Sequence, residues 1–424
     1  MNYAGFVSAA LGLGQAARGY VKALREQGFE VSTVDAEALL PGWENSGSHD
    51  LSAPLKRRNF PHPVNIIHIN PDLIYNFWHL AGREFFENRY TIGIWAWETP
   101  VFPARWYDRF NLVNEIWVGG SFMARGITMA SPVPVLVIPH AVETSEEAPD
   151  RNLFGLSPDE YIFLFSFDFN SSPIRKNPCG VIEAFGKAFD PTEPARLVIK
   201  SINGARRPEE RKRMKDLCRD LRVTFIDEVL TDRNRSKLLA SCDAFVSLHR
   251  AEGFGLGIAE GMAAGKPVVA TGWSGNMDFM NVGNSFPVDF RLAPLESEDP
   301  PYEEGSLWAV PDTDDAAEKM RRIFEDRALA DRVGKRARKH IEEFHGIGVI
   351  GGLMRERLCH IGERGFTGTG KRNAFALLMR RYRMNRASFL LKVWFRVLRV
   401  LPNRWHPGLR KLTERSRSHE SGML

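Results

Sequence analysis

The chain has 424 residues, of which 43% are hydrophobic and 26% are charged, a composition typical of a water-soluble globular protein with two domains. The four cysteines lack the spacing of a metal or redox motif, and they predict free thiols in a reducing compartment. The sequence begins without a signal-peptide pattern, and it contains no uncharged apolar run of the ~18 residues that a membrane-spanning helix needs. These features argue against secretion and membrane insertion, and we predict a cytoplasmic protein.

The net charge of +5 is unevenly distributed along the chain. Residues 364–424 carry 15 Lys or Arg and 2 Asp or Glu, whereas the rest of the chain carries 42 basic and 50 acidic residues. The high isoelectric point is therefore a property of the C-terminal segment, and it does not indicate what the body of the protein binds.

Strand-like and helix-like patterns alternate through the first part of the chain. A helix is predicted from about residue 10 to residue 27, and strands are predicted at 2–7, 31–35, 64–70, 90–100, 115–118 and 133–140. A polar connection spans residues 36–63. Because the strands are separated by helices, the sheet should be parallel, with ligands at the carboxyl ends of its strands.

The second part of the chain repeats this plan. Strands are predicted at 161–167, 195–200, 223–227, 244–248 and 267–270, and helices at 180–189, 235–241, 256–264, 312–324 and 329–344. Residues 284–311 contain five prolines and predict an irregular insertion. We assign an N-terminal Rossmann-like domain to residues 1–145, a linker to 146–158, a C-terminal Rossmann-like domain to 159–350 and a basic extension to 351–424.

A glycine-rich loop joins the strand at 244–248 to the helix at 256–264. The loop residues Gly253, Phe254, Gly255 and Leu256 would direct backbone N–H groups and a positive helix end towards one point, which suits a phosphate. Two carboxylates, Glu252 and Glu260, flank the loop with seven residues between them. Carboxylates accept hydrogen bonds from hydroxyls, so the pattern predicts a site for a sugar–nucleotide diphosphate. The alternative is an ordinary α/β loop with a solvated Glu260.

These residues resemble the Glu-x7-Glu motif of retaining glycosyltransferase family 4, whose members have the α/β GT-B fold with two Rossmann-like domains facing each other across a cleft. The resemblance covers about residues 1–350 and is strongest at 244–280. It implies that Glu252 lies at the donor sugar, that Glu260 holds the ribose hydroxyls, and that the loop amides meet the diphosphate.

The resemblance also implies the activity. We expect a hexosyltransferase, with a mannosyltransferase-like enzyme as one option, that moves a sugar from a UDP- or GDP-linked donor to a glycan or lipid-linked acceptor. Retention of configuration and a role in bacterial surface polysaccharide assembly are further expectations. No cofactor is expected, and no set of Asp and His residues predicts a metal site.

Further donor contacts follow from the same resemblance. The backbone at Val229 and Leu230 would bind the base, whose identity the sequence does not reveal. A second loop would donate hydrogen bonds to the donor, and its residues are Ser274, Gly275 and Asn276.

The N-terminal glycines have two interpretations. By resemblance, Gly12 and Gly14 form a loop that faces the donor phosphates. Together with Ala17 and Asp35 they also match the dinucleotide-binding fingerprint, so an NAD(P)-dependent oxidoreductase is a second hypothesis. Four residues separate the predicted strand end from Gly12, whereas the dinucleotide turn requires its first glycine close to the strand. A catalytically inactive glycan-binding scaffold is a third hypothesis.

Arg175 and Lys176 follow the first strand of the second domain. In a doubly wound sheet, that loop opens on the same edge as Glu252, where two cations would neutralise the diphosphate and stabilise it as leaving group. The alternative is a pair of solvated surface cations. We predict Arg175, Lys176 and Glu252 as catalytic residues.

The acceptor side of the site is predicted in the N-terminal domain. Trp95 and Trp97 would form a platform for a sugar ring, and Glu98 would act as a catalytic carboxylate where many family members carry a histidine. Whether Glu98 replaces that histidine is open. The alternative is a buried aromatic strand end with a solvated acid. His140 ends the last strand of this domain and would face the cleft, with a structural role as its alternative.

Residues 371–412 have the pattern of a basic amphipathic helix. Such a helix would lie on an anionic membrane, which would make the protein peripheral at the inner face of the plasma membrane. The alternative is that its apolar face packs on the N-terminal domain. Nucleic acid is not an expected partner, because it would leave the apolar face unexplained.

Overall fold

The structure is a computed structural model that describes residues 1–39 and 60–363. It contains two parallel six-stranded sheets with helices packed on them. Most of the predicted polar connection and the whole predicted amphipathic segment 371–412 lie outside the described residues. No helix within the described ranges is both long and apolar enough to cross a membrane.

The first sheet has the strand order β2-β1-β3-β4-β5-β6. Its strands are β1 Asn2–Gly5, β2 Ser32–Asp35, β3 Val64–His68, β4 Tyr90–Ile94, β5 Glu115–Val118 and β6 Val135–Val137. The helices of this part are α1 Gly12–Glu26, α2 Ile74–Ala81, α3 Arg83–Phe86 and α4 Ser121–Thr128. All the strand pairs are parallel, as the alternation of strands and helices predicts.

The second sheet has the order β12-β11-β10-β7-β8-β9. Its strands are β7 Tyr161–Asp168, β8 Ala195–Ile202, β9 Val223–Asp227, β10 Ala244–Ser247, β11 Val268–Thr271 and β12 Phe286–Val288. The helices that follow its strands are α5 Pro173–Lys176, α6 Pro178–Ala188, α7 Pro208–Leu217, α8 Asp232–Ser241, α9 Leu256–Ala263, α10 Thr313–Glu325 and α11 Arg327–His345. α7 is missing from the predicted elements because its mostly charged sequence buries only Met214 and has no apolar periodicity.

The final described helix, α12, spans Ile347–Glu363 and returns to the first sheet. Its apolar residues join the core that contains Tyr20 and Leu24 of α1, and its buried members are Ile350, Met354, Leu358 and Ile361. Arg357 also donates hydrogen bonds to the fully buried carboxylate of Glu115. The predicted boundary between residues 350 and 351 therefore falls inside this helix. We call residues 1–145 together with α12 the N-terminal half, and residues 150–345 the C-terminal half.

The prediction of an irregular insertion at 284–311 is wrong. The segment contains β12, and it also contains an antiparallel hairpin whose strands are β13 Phe290–Pro294 and β14 Leu307–Pro311. Proline is tolerated here because Pro287 lies in an edge strand, where a missing backbone N–H can be accommodated, and the other strand prolines end β13 and β14. The residues between β13 and β14 reach the candidate site described below.

Candidate active site

The site is built where two neighbouring strands of the second sheet end. β7 and β10 pair in parallel, so their carboxyl ends meet at one edge. The chain leaves β7 through a short turn into α5, which carries Arg175 and Lys176. It leaves β10 through the glycine loop, which begins at Glu252 and leads into α9.

The structure brings these three predicted residues into direct contact. Lys176 Nζ donates a hydrogen bond to Glu252 Oε1, and Arg175 Nη1 lies 3.3 Å from Glu252 Oε2. Arg175 Nη1 also donates to the carbonyl of Ala251 at 2.8 Å, which fixes the guanidinium beneath the loop. The predicted proximity of the two cations to Glu252 is therefore confirmed.

Burial and charge act against each other in this cluster. Burial raises the pKa of the Glu252 carboxyl, but Lys176, Arg175 and His249 outweigh it and lower that pKa to about 2. Burial lowers the pKa of Arg175, but Tyr302 and Glu252 raise it above its ordinary value. Burial also lowers the pKa of Lys176, and Glu252 opposes that shift. Glu252 and Arg175 are consequently both charged at neutral pH.

The loop at 274–276 holds Glu252 in place. The backbone N–H of Glu252 donates to Ser274 Oγ at 2.9 Å, and the N–H of Gly275 donates to the Glu252 carbonyl at 3.0 Å. A Cβ at Gly275 would lie 1.8 Å from the Gly253 carbonyl oxygen, so only glycine fits there. The predicted donation from Gly275 to a ligand is contradicted, because its N–H is already used within the protein.

Asn276 is likewise committed to the protein interior. Its side chain is fully buried, Nδ2 donates to the carbonyl of Thr271 at 2.9 Å, and Oδ1 lies 3.0 Å from His249 Nε2. The prediction that Asn276 contacts the donor is therefore wrong. Ser274 and Asn276 therefore position the residues of the glycine loop. From the sequence motif alone, this role looks the same as ligand binding.

The glycine loop lies at the interface between the two halves. Gly255 has φ +90°, which favours glycine, and Leu256 begins α9. A Cβ at Gly253 would lie 2.9 Å from Met123 Sδ of the N-terminal half. The ring of Phe254 is buried 4.8 Å from that of His140, so only the backbone at this position is suited to contact a ligand.

A second charged cluster surrounds Glu260. Arg235 Nη1 of α8 donates to Glu260 Oε1 at 2.6 Å, and Glu260 raises the pKa of Arg235. Asp232 lies 3.8 Å from Arg235 and 3.5 Å from Arg18 of α1. The cluster thus joins α1, which contains the N-terminal glycines, to α9, the helix after the glycine loop. Arg235 is a candidate that the sequence reasoning misses, because it belongs to no motif and lies in a helix of low amphipathicity.

The remaining predicted donor residues occupy different environments. Gly12 is exposed at the start of α1, with open space where a Cβ would be. A Cβ at Gly14 would lie 2.2 Å from the carbonyl oxygen of Ala9, so this glycine is required by local packing. Val229 and Leu230 are half-buried in the turn between β9 and α8, at the carboxyl edge of the sheet.

The predicted tryptophan platform is wrong. Trp95 is 1% exposed and Trp97 is 3% exposed, so neither ring presents a face to a sugar. Trp95 stacks on Phe102 at a centroid distance of 5.9 Å, and Trp97 lies 5.1 Å from Trp106. Trp97 Nε1 also donates to the carbonyl of Val101 at 2.7 Å. The residues after β4 fold back as an aromatic cluster, because burying these large rings is more favourable than exposing them.

His140 belongs to a buried network of rings. Its Nδ1 lies 3.0 Å from the hydroxyl of Tyr20, and its ring stacks with that of His68 at 6.2 Å. Burial lowers the pKa of His140 to about 4 and that of His68 to about 3. The predicted sugar-platform role of His140 is contradicted, since its ring packs between side chains of both halves.

Glu98 remains at the interface and has a partner that the sequence did not indicate. Its carboxylate is half-buried, and Oε2 accepts a hydrogen bond of 3.0 Å from the hydroxyl of Tyr302. Glu98 also raises the pKa of Arg175, by less than Tyr302 and Glu252 do. Tyr302 lies between β13 and β14, in the stretch whose prolines suggested an irregular insertion, so no periodic pattern could identify it.

No set of three or more His, Cys, Asp or Glu side chains among residues 1–39 and 60–363 is arranged to hold a metal ion. The absence of a cofactor stays a prediction.

The site lies within a segment that matches a known family. Residues 150–340 match the family model described as glycosyl transferases group 1. The matched segment contains both charged clusters of the second sheet, except for the contribution of Arg18. A search of curated proteins found no match to the sequence.

Solved structures resemble this chain over most of its length. Sucrose-phosphate synthase from Thermosynechococcus elongatus has a TM-score of 0.64 at 16% identity, and the alignment covers 86% of this chain and 99% of that protein. HepE from Anabaena, solved with UDP and glucose, has a TM-score of 0.62 at 14% identity, covering 85% and 99%. A glycosyltransferase from Rickettsia africae has a TM-score of 0.60 at 15% identity, covering 86% and 98%. At these identities the similarity establishes the fold alone, and the predicted GT-B fold is confirmed.

Proposed function

We propose that this protein is a glycosyltransferase that moves a hexosyl group from a nucleoside-diphosphate sugar to a hydroxyl of an acceptor, with retention of configuration. The observation that carries the proposal is the contact of Arg175, Lys176 and Glu252 beside the glycine loop. The match of residues 150–340 to glycosyl transferases group 1 supports the same activity.

The two cations suit a diphosphate leaving group. When the bond between the sugar and the diphosphate breaks, negative charge accumulates on the phosphate oxygens, and preorganised cations stabilise it. Arg175 is 5% exposed and is held by backbone carbonyls, and its Nε has no hydrogen-bond partner within the described residues. A phosphate oxygen would satisfy this buried donor.

Glu252 suits the donor sugar. Its carboxylate is ionised over the whole physiological pH range, because its pKa is about 2 after burial is offset by Lys176, Arg175 and His249. An ionised carboxylate accepts hydrogen bonds from sugar hydroxyls, and it keeps the two cations paired before the donor binds. Glu260 of α9, which is paired with Arg235 of α8, would accept hydrogen bonds from the ribose hydroxyls.

The finer parts of the proposal rest on the family resemblance. The HepE structure contains UDP and glucose, which supports a UDP-linked donor here, with a GDP-linked donor as the second choice. We propose a glycan or lipid-linked acceptor and a role in bacterial surface polysaccharide assembly. Binding of residues 371–412 to an anionic membrane would bring the enzyme to such an acceptor.

The oxidoreductase hypothesis receives less support. Six residues separate the end of β1 at Gly5 from the start of α1 at Gly12, so the first glycine is not tight against the strand. Packing of Gly14 against the Ala9 carbonyl accounts for that glycine without a dinucleotide. The inactive-scaffold hypothesis predicts weak nucleotide-sugar binding, with no loss of biological activity in Glu252→Ala.

The proposal is tested by ligand-induced shifts in melting temperature, followed by turnover. We expect UDP or GDP and the matching nucleotide sugar to raise the melting temperature, and NAD⁺ and NADH to leave it unchanged. Octyl glycosides would then serve as acceptors, and proton NMR of the product would give the anomeric configuration. Stabilisation by NAD(H) alone would favour the oxidoreductase, and an inverted product would refute retention.

The membrane proposal needs a separate measurement. Flotation with vesicles of phosphatidylglycerol and phosphatidylcholine would compare the full chain with a form that lacks residues 365–424. We expect only the full chain to float with anionic vesicles, and equal flotation of both forms would contradict the proposal.

A further inference from the structure

Tyr302 of the C-terminal half contacts the carboxylate of Glu98 in the N-terminal half. Tyr302 is 5% exposed, and its hydroxyl donates to Glu98 Oε2 at 3.0 Å. Its ring lies 5.5 Å from that of Trp97, centroid to centroid. The hydrogen bond and the ring contact both cross the interface between the two halves, so Glu98 is oriented only when the halves are together.

The turn that carries Tyr302 is also attached to the catalytic cations. The backbone N–H of Tyr302 donates to the Asp299 carbonyl at 2.9 Å, and the Asp299 carboxylate accepts a hydrogen bond from the hydroxyl of Ser172. Ser172 caps α5 by accepting the N–H of Arg175 at 3.1 Å. The Arg175 guanidinium carbon lies 6.0 Å from the centre of the Tyr302 ring. A continuous set of contacts therefore links the helix that carries Arg175 and Lys176 to Glu98.

A second attachment lies on the surface of the same turn. Arg105 of the N-terminal half donates to the Glu303 carboxylate and to the Pro301 carbonyl. Both side chains are partly exposed, so this ion pair adds little stability. The two contacts of Arg105 nevertheless hold the residues on either side of Tyr302, and the Tyr302 hydroxyl lies between the two halves.

This arrangement leaves one oxygen of Glu98 available. Oε2 accepts from Tyr302, whereas Oε1 has no hydrogen-bond partner among the residues that the structure describes, and the side chain is only half-buried. A carboxylate oriented by one hydrogen bond, with its second oxygen open, can accept a hydrogen bond from a hydroxyl.

We propose that Tyr302 is an acceptor-positioning residue that fixes the Glu98 carboxylate so that Oε1 receives the hydroxyl of the incoming acceptor. This inference rests on the proposed glycosyltransferase function. In the transfer step, the acceptor oxygen bonds to the anomeric carbon on the same face that the diphosphate leaves, which retains the configuration. The bond from that carbon to the diphosphate oxygen breaks, and the hydroxyl proton passes to Glu98. The acceptor group is therefore an uncharged sugar or polyol hydroxyl, because a carboxylate would repel a phosphate.

The test compares Tyr302→Phe, Glu98→Gln and the double variant with the wild-type chain. The control is Tyr161→Phe, since Tyr161 is also 5% exposed but lies at the start of β7, at the opposite end of the strand from the site. UDP-glucose, UDP-N-acetylglucosamine and GDP-mannose serve as donor probes, with octyl β-glucoside and octyl α-mannoside as acceptors. The KM of donor and acceptor and the dissociation constants of UDP and GDP are measured separately.

We expect Tyr302→Phe to raise the acceptor KM about 5- to 10-fold, the size of one ordinary hydrogen bond, and to leave donor KM and nucleotide affinity unchanged. The double variant should be no worse than Glu98→Gln alone, because both changes remove the same oriented carboxylate. The inference would be overturned if Tyr302→Phe had the same acceptor KM as the control Tyr161→Phe. Equal increases in donor and acceptor KM would also overturn it. So would a double variant whose loss is the product of the losses in the two single variants. A wild-type chain that neither binds UDP or GDP nor transfers any sugar would overturn the proposed function as well.

Discussion

The two parallel sheets carry different chemistry at their carboxyl edges. The edge of the second sheet brings the buried charges of Arg175 and Glu252 into contact with the half-buried ammonium of Lys176. The edge of the first sheet is filled by the rings of Trp95 and His140, which are buried and uncharged at neutral pH. One edge is thus suited to hold a charged donor, and the other offers buried rings and the carboxylate of Glu98.

This difference indicates which substitutions should change function without loss of the fold. A buried ion cluster depends on all its members, because removal of one leaves a buried charge unpaired. An aromatic cluster tolerates replacement by another apolar group at a cost in packing alone. Substitutions at the charged edge should therefore affect transfer most, and those in the aromatic cluster should affect stability.

The largest effect is expected for Glu252→Gln. We expect transfer to fall ~10²–10³-fold, the range typical for loss of one preorganised electrostatic contact. We also expect the free energy of unfolding to fall by ~3–5 kcal/mol, because the buried Arg175 and the half-buried Lys176 lose their partner. Initial rates and urea unfolding give the two values. The exposed Glu209→Gln serves as control, and equal rates in both variants would remove Glu252 from the reaction.

Lys176→Met is expected to have the next largest effect. The loss of one charge-assisted contact to the diphosphate should lower kcat/KM for the donor ~10- to 100-fold. The matched control is Lys212→Met, which removes an exposed pair with Asp216. Isothermal titration with UDP would separate binding from chemistry. Unchanged UDP affinity together with unchanged turnover would show that Lys176 does not meet the diphosphate.

Glu98→Gln tests the carboxylate at the aromatic edge. We expect turnover to fall roughly tenfold or more with folding intact, a conservative figure for loss of a positioned acid or base. Initial-rate kinetics and a melting curve check both parts. Wild-type rates in this variant would remove Glu98 from the mechanism and leave the charged edge as the whole site.

The buried histidines predict a dependence of stability on pH. The pKa of His140 is about 4 in the folded chain, against an ordinary value of 6.5, so the unfolded chain binds more protons between these values. The free energy of unfolding should therefore fall as pH decreases from 6.5 towards 4. The free energy of unfolding would be measured by urea unfolding at several pH values. Its change with pH should be smaller for His140→Gln than for the exposed control His79→Gln. Equal slopes would mean that His140 does not contribute.

The smallest effect on transfer is expected for Trp95→Phe. The ring is 1% exposed, so the variant should lose about 1–3 kcal/mol of stability and keep nearly the same kcat/KM. Parallel unfolding and rate measurements would decide the matter. A large loss of acceptor affinity with unchanged stability would restore the sugar-platform interpretation.

The fold class and the residues of the charged edge follow from the sequence alone. Alternating strand and helix patterns predict parallel sheets, and residues that follow neighbouring strands of such a sheet must meet at one edge. The contact between Lys176 and Glu252, 76 residues apart, follows from that rule. Local sequence patterns are sufficient here because they locate the strands, and the carboxyl ends of paired parallel strands always lie at the same edge of the sheet.

The burial of the aromatic edge and the partner of Glu98 depend on tertiary packing. The exposed or buried state of Trp95 depends on Phe102 and on segments that fold over it, and no periodicity encodes that choice. Tyr302 reaches Glu98 across 204 residues of chain, through a proline-rich segment whose hairpin pairing is not a local property. Packing between distant segments set these positions, because each side chain is placed by the surfaces that meet around it and not by its neighbours in sequence.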